Sequence, residues 1–150
     1  MENIKKLGIR KRIGLIAHDN KKKELIDWAV YNKRVLATHE LFGTGTTGRM
    51  VEQALGQPVT KLLSGPLGGD QQIGSLIAEG KIEIIIFFWD PMEAQPHDPD
   101  IKALLRVAAV WNIPMACDRS TADFLMTSPC MHEEYEIILP DYSQYIKRQV

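Results

Sequence analysis

The chain has 150 residues, 45% hydrophobic and 25% charged, an ordinary globular composition that excludes a disordered, collagen-like or disulfide-framework protein. That length is one domain, with a core large enough to need no disulfide or metal staple. With 18 Lys and Arg against 19 Asp and Glu the formal net charge is -1, so no basic field invites a nucleic acid or an anionic membrane.

The basic start of the chain (Lys5, Lys6, Arg10, Lys11, Arg12) is followed by no apolar stretch of signal-peptide length, and the expected location is cytoplasmic. Residues 13–17 are a short β-type run, and Leu25, Trp28 and Ala29 recur at helical spacing through 22–36. A second strand ends at Leu41 and Phe42. The helix after it carries Met50, Val51, Ala54 and Leu55 and stops at Gly56. Residues 59–63 predict a third strand, and Ile73, Leu76 and Ile77 mark a helix ending at Gly80. Residues 82–89 predict the strongest strand; its run 84–89 is apolar without alternation, the pattern of a central strand covered on both faces, and far short of the ~20 residues that span a bilayer. Ile101, Leu104, Leu105 and Ala108 line a further helix, 113–117 reads as a fifth strand, and short helices are predicted at 121–127 and 142–148.

Strands alternating with helices imply βαβ units. The expected fold class is α/β: a single three-layer doubly wound domain over 1–150, with a central, mainly parallel sheet of about five strands. In such sheets ligands bind beyond the carboxyl ends of the strands. His18-Asp19 follows the first strand, with Lys22 one helical turn on. Gly43-Thr-Gly-Thr-Thr-Gly48 follows the second, Ser64-Gly-Pro-Leu-Gly-Gly-Asp70 the third, and Asp90-Pro, then His97-Asp-Pro-Asp100, the fourth. Small, hydroxylic and titratable residues therefore gather on one rim.

Each motif also has an ordinary structural explanation. Gly43, Gly45 and Gly48 satisfy the dinucleotide fingerprint, but they follow the second strand, and Asp70, the acidic residue at the expected distance, sits in another glycine-rich loop. No Gly-Lys-Ser/Thr completes a P-loop. One threonine would serve as a helix cap; Thr44, Thr46 and Thr47 together suit a single phosphate at a helix N-terminus. Ser64-Gly65-Pro66 is a turn or a second set of small donors. Lys22 belongs to a lysine run at a helix start, where cations oppose the dipole unless an anion is bound. Local pattern favours Asp70 as an N-cap over a carboxylate facing a substrate carbon. His18 and His97 suit acid–base and hydrogen-bonding roles better than metal binding, because the spacing matches no standard site and His39 and His132 have nothing beside them. Phe87, Phe88 and Trp89 read as core. Cys117 reads as buried and inert, and with Cys130 it has neither metal-type spacing nor a framework pattern.

Taken together, Ala17-His-Asp19, Thr44-Gly-Thr-Thr-Gly48, Leu63-Ser-Gly-Pro-Leu-Gly-Gly-Asp-Gln-Gln72, Phe87-Phe-Trp-Asp-Pro91, Pro96-His-Asp-Pro-Asp100 and Val110-Trp-Asn-Ile-Pro114 resemble the methylglyoxal synthase family. The resemblance covers nearly the whole chain; the first ten residues and the extreme C-terminus carry none of it. It implies a flavodoxin-like fold and a homohexamer. It implies conversion of dihydroxyacetone phosphate to methylglyoxal and inorganic phosphate without metal or organic cofactor, with inorganic phosphate as allosteric inhibitor. By matching position it implies Asp70 as catalytic base and His97 as its partner at the substrate oxygens. His18, Lys22, Thr44, Gly45, Thr46, Thr47, Ser64 and Gly65 match substrate-binding positions, and Asp19 and Asp100 supporting ones. The family also places a C-terminal arginine near a neighbouring site; Arg148 is close to that position.

This chemistry agrees with the residues taken alone. Removing a proton beside a ketone needs a base in contact and donors for the enediolate oxygens, as a carboxylate and a neutral imidazole provide in triosephosphate isomerase. The alternative is a non-catalytic, anion-sensing regulatory module of the same fold, which would have no use for Asp70, His97 and His18 together. A flavin- or nucleotide-binding protein would want an aromatic-lined pocket that these loops do not offer.

Overall fold

The computed structural model describes residues 3–93 and 98–148, with side chains at 3–93 and 101–147. Seven strands occur among them: β1 (Asn3–Leu7), β2 (Arg12–Ala17), β3 (Glu40–Thr44), β4 (Val59–Leu62), β5 (Ile84–Phe88), β6 (Met115–Ala116) and β7 (Tyr135–Leu139). The helices are α1 (Lys22–Tyr31), α2 (Lys33–Leu36), α3 (Gly45–Leu55), α4 (Gly69–Ala78), α5 (Asp98–Val110), α6 (Arg119–Thr127) and α7 (Ser143–Arg148). Five strands form a wholly parallel sheet in the order β4-β3-β2-β5-β6.

The doubly wound class follows from how β5 is buried. Ile84, Ile86 and Phe88 point to one face and pack with Leu25, Trp28, Val51 and Met126 from α1, α3 and α6. Ile85 and Phe87 point to the other and pack with Ile73, Ile77, Leu104 and Ala108 from α4 and α5. Side chains alternate along a strand, so a strand covered on both faces must be apolar at every position. Counted in chain order the sheet strands run 3-2-1-4-5, an order that departs from the flavodoxin arrangement and puts the reversal of direction between β2 and β5.

Several boundaries differ from expectation. The helix expected over 22–36 is interrupted at Asn32, whose side-chain Nδ2 donates to Trp28 O at 3.0 Å and competes with the helix ladder. The fifth strand shrinks to two residues because Pro114 offers the sheet only its carbonyl, which accepts Ile85 N–H at 3.0 Å. The antiparallel β1–β7 ribbon, from Asn3↔Leu139 to Leu7↔Tyr135, was not foreseen. Its sequence signal is weak: Leu7 and Ile137 are its fully buried apolar residues, and Lys5 Nζ binds Gly80 O at 3.0 Å instead of facing water. Cys117 is half-buried rather than buried.

At the amino-terminal edge of the sheet, His39 and His132 are not isolated, as expected above, but stack at 6.1 Å between centroids. His39 is 1% exposed, and its Nδ1 accepts Lys11 N–H at 2.9 Å. Burial first, then the neighbouring His132, Lys11 and Arg10, lower its pKa to about 4.

Candidate functional site

The carboxyl ends of β2, β3, β4 and β5 surround a cleft of about 280 Å³. Ile16, Ala17, His18, Asp19 and Lys22 line it from the β2 side, and Thr44, Gly45, Thr46 and Thr47 from β3. Ser64, Gly65, Pro66 and Asp70 come from the β4 side, Phe87 and Glu93 from β5. Four separate loops thus deliver their small and titratable residues to one place, beside the point where the winding of the sheet reverses.

β3 runs into α3 without a linker. Thr44 ends the strand and also stands at the N-cap in an extended conformation, with no side-chain cap bond. The N–H groups of the first turn therefore lack the usual capping oxygen. Thr47 is 1% exposed, and its Oγ1 has no hydrogen-bond partner among the described residues. A buried hydroxyl in that state costs free energy until an acceptor reaches it. Gly45 has φ +50, and a Cβ there would stand 3.0 Å from the Ser64 Cβ, so only glycine lets the β3 and β4 loops close on each other. Lys22 Nζ crosses to Thr46 Oγ1 at 2.7 Å while binding Asp19 Oδ1 at 2.8 Å. The lysine is thus drawn to the threonine loop and does not belong to a solvated face.

On the β4 side, residues Gly65–Leu67 make one 3-10 turn, and Ser64 O accepts the N–H groups of Leu67 and Gly69 at 3.0 and 2.8 Å. Gly69 is required because a Cβ there would run into the Leu63 carbonyl. The local N-cap reading of Asp70 is overturned: Gly68 holds the cap position, and Asp70 lies inside the first turn of α4. The side chain lies over Gly65, where a Cβ would be 3.6 and 3.7 Å from its two carboxyl oxygens. The α4 dipole favours a negative charge there.

His18 continues the ladder of β2, its N–H donating to Phe88 O at 3.1 Å, and its ring stands edge-on to Phe87 at 5.4 Å. The His18 Nδ1 accepts Asp90 N–H at 3.0 Å, which assigns the ring proton to Nε2. Glu93 Oε2 is 3.7 Å from that same Nδ1, beyond hydrogen-bond length. Asp90 also ties the two loops together: Oδ2 accepts from Asn20 Nδ2 at 3.1 Å and Oδ1 from Met92 N–H at 2.9 Å. These two bonds, Asn20 first, hold its carboxyl below the usual range.

The cleft brings together His18, Asp19, Lys22, Thr44, Gly45, Thr46, Thr47, Ser64, Gly65 and Asp70. His97 lies outside the described residues, as do the side chains of Asp100 and Arg148. Glu93, Asn20 and the Asp90 N–H were not foreseen. The Asp-Pro at the end of β5 was a weak signal for the last, and nothing in the sequence marks Glu93. Among the described residues no group of three or more His, Cys, Asp or Glu side chains is placed to hold a metal ion. No helix among them is long and apolar enough to cross a membrane.

The MGS-like domain model matches residues 24–117. The methylglyoxal synthase of Proteus mirabilis is 54% identical, over 100% of this chain and 99% of its own length. That of Saccharophagus degradans is 59% identical over 140 residues, 93% of this chain and 91% of its own. The crystal structure of methylglyoxal synthase from Elizabethkingia anophelis superposes with a TM-score of 0.92 at 54% identity, covering 99% of this chain and 97% of that one. The domain model begins beyond His18, Asp19 and Lys22, whereas the match to the Proteus mirabilis enzyme takes in all three.

Proposed function

The chain belongs to the methylglyoxal synthase family, and from that premise we propose that its cleft converts dihydroxyacetone phosphate to methylglyoxal and inorganic phosphate, as a carbon–oxygen lyase acting on a phosphate ester. The observation that carries the reading is a single cleft lined both by Asp70, its carboxylate over Gly65, and by the uncapped start of α3, where the buried Thr47 hydroxyl has no partner among the described residues.

In this proposal Lys22, Thr44, Thr46, Thr47 and the Gly45 backbone hold the phosphate, with Ser64 closing the other side. Asp19 holds Lys22 in place. Asp70 removes a proton from the hydroxymethyl carbon, and the electron pair moves onto the ketone oxygen to give an enediolate. The His18 Nε2–H, its tautomer set by the Asp90 N–H, donates to that oxygen, and His97 is proposed as its companion. The hydroxyl on the deprotonated carbon then gives up its proton as its oxygen forms the aldehyde, the C=C pair shifts to the terminal carbon, the bond from that carbon to the bridging phosphate oxygen breaks, and inorganic phosphate leaves; the enol left behind takes a proton on its terminal methylene to give methylglyoxal. Elimination requires that bond to stand perpendicular to the enediolate plane. A phosphate held by groups from two different loops cannot swing into the plane, and this positioning favours elimination over isomerisation. Base, donors and anion cradle are all supplied by the chain, so no metal or organic cofactor is needed; treatment with a chelator leaves the rate unchanged, and a rate restored only by added metal contradicts this.

The same cradle binds the product, so inorganic phosphate inhibits. We extend the proposal to a homohexamer regulated by phosphate, with Asp100 in a supporting role, as the family resemblance implies. The test incubates the purified protein with dihydroxyacetone phosphate and follows methylglyoxal and inorganic phosphate together. Equal release of both supports the reading; binding of phosphate without turnover would instead favour the anion-sensing module.

A further inference from the structure

We propose that Glu93 is a specificity-determining residue, whose carboxylate accepts the hydroxyl proton at the end of the substrate remote from the phosphate and repels ligands bearing a second anionic group there. The inference rests on the activity proposed above. Most polar groups facing the cleft are donors: the Lys22 ammonium, the threonine hydroxyls, the first N–H groups of α3 and the His18 Nε2–H. A hydroxyketone phosphate presents acceptors to all of these, but it also brings one hydroxyl that must donate. Asp70 is committed to carbon. Asp19 Oδ1 is engaged by Lys22 Nζ at 2.8 Å, and Glu93 is the third carboxylate lining the cleft, beside His18.

Among the described residues it is an acceptor without a protein donor, at the exposed rim of the cleft. The Glu93 carboxylate makes no hydrogen bond among the described residues, and the ring nitrogen 3.7 Å from it has its lone pair already occupied by Asp90 N–H at 3.0 Å. Two acceptors facing each other gain nothing in that state. The placement is nevertheless held by bonds: Met92 N–H to Asp90 Oδ1 at 2.9 Å, Glu93 N–H to Asp90 O at 3.4 Å, and Asn20 to Asp90 Oδ2 at 3.1 Å. The turn carrying Glu93 is therefore fastened to the loop carrying His18. A hydroxyl entering on the cleft side of Glu93 supplies the missing donor. A carboxylate entering there meets a like charge.

The experiment compares the full chain with Glu93→Gln and Glu93→Asp. It measures the KM for dihydroxyacetone phosphate and the inhibition constants of inorganic phosphate and of 2-phosphoglycolate, which carries a carboxylate in place of the hydroxyketone. In Glu93→Gln, kcat/KM falls about tenfold, mainly through KM, for loss of a hydrogen bond to a charged acceptor. Inhibition by 2-phosphoglycolate tightens about tenfold relative to inorganic phosphate as the local repulsion disappears. Glu93→Asp keeps the charge and stays nearer the parent in that ratio. An unchanged KM, or equal tightening for both inhibitors, overturns the proposal, since equal tightening reports only a diffuse charge effect. If the parent chain binds phosphate but releases no methylglyoxal, the proposed activity fails and this inference with it. A parent that turns over normally while Glu93→Gln matches it sinks this inference alone.

Discussion

Asp70 and Thr47 show how a side chain's role depends on what its neighbours decline to do. Asp is a good cap, yet Gly68 takes the cap position and the carboxylate turns over Gly65. If Asp70 is the base, Asp70→Asn abolishes turnover while binding of 2-phosphoglycolate stays within about tenfold, because the amide keeps the shape and loses only the proton acceptor. Loss of inhibitor binding as well would make the residue structural. Thr47 gives two effects of opposite sign. Its buried hydroxyl has no partner among the described residues, so Thr47→Val raises the stability of the unliganded chain by about 1 kcal/mol. The same change raises KM several-fold, because the phosphate loses a donor. Thermal unfolding and steady-state kinetics on one preparation check both, and parallel movement of the two would remove Thr47 from the anion site. The threonine cluster was legible in the sequence, since three hydroxyls among glycines exceed what a cap requires. Glu93 was not, since a carboxylate on a short loop is ordinary until His18 is seen 3.7 Å away.

The elements that carry these side chains owe their placement to close approaches that only small residues allow. Gly45, in a left-handed conformation against Ser64, joins the β3 and β4 loops. Gly45→Ala introduces strain at φ +50 and a contact at 3.0 Å, and part of it is relieved by moving the start of α3 away from Ser64. The expected outcome is a higher KM and a lower melting temperature, with kcat changed less than KM. A variant with parental KM would show that the two loops need not touch. β5 could be read directly from its continuous apolar run, and α3 from its periodicity and its end at Gly56. The break at Asn32 and the shortening of β6 could not, since each depends on a competing hydrogen bond or on the carbonyl-only edge at Pro114.

Across the whole molecule, the proposed chemistry and a pH-sensitive prop lie at opposite ends of the sheet. His39 is neutral in the fold, with its pKa lowered from 6.5 to about 4 by burial. The unfolded chain therefore binds a proton that the folded chain refuses. Stability from this group is fully present above about pH 6.5 and is lost as the pH falls toward about 4, a change of roughly 3 kcal/mol. Urea unfolding at pH 7 and pH 4.5 detects it, and His39→Gln flattens this part of the profile while lowering stability at pH 7. An equally steep profile in the variant would assign the acid sensitivity elsewhere.

Alternating apolar runs and helical periods were sufficient for the α/β class, for strands buried on both faces and for the rim on which the candidate residues gather, because those features depend only on spacing along the chain. Folding decided what spacing cannot encode: that the strands order themselves β4-β3-β2-β5-β6, that weakly patterned ends pair as the β1–β7 ribbon, that Gly68 and not Asp70 takes the cap of α4, and that Glu93 faces His18. Each of these is a distance between residues far apart in the chain, and such distances exist only once the two cores have closed on the sheet.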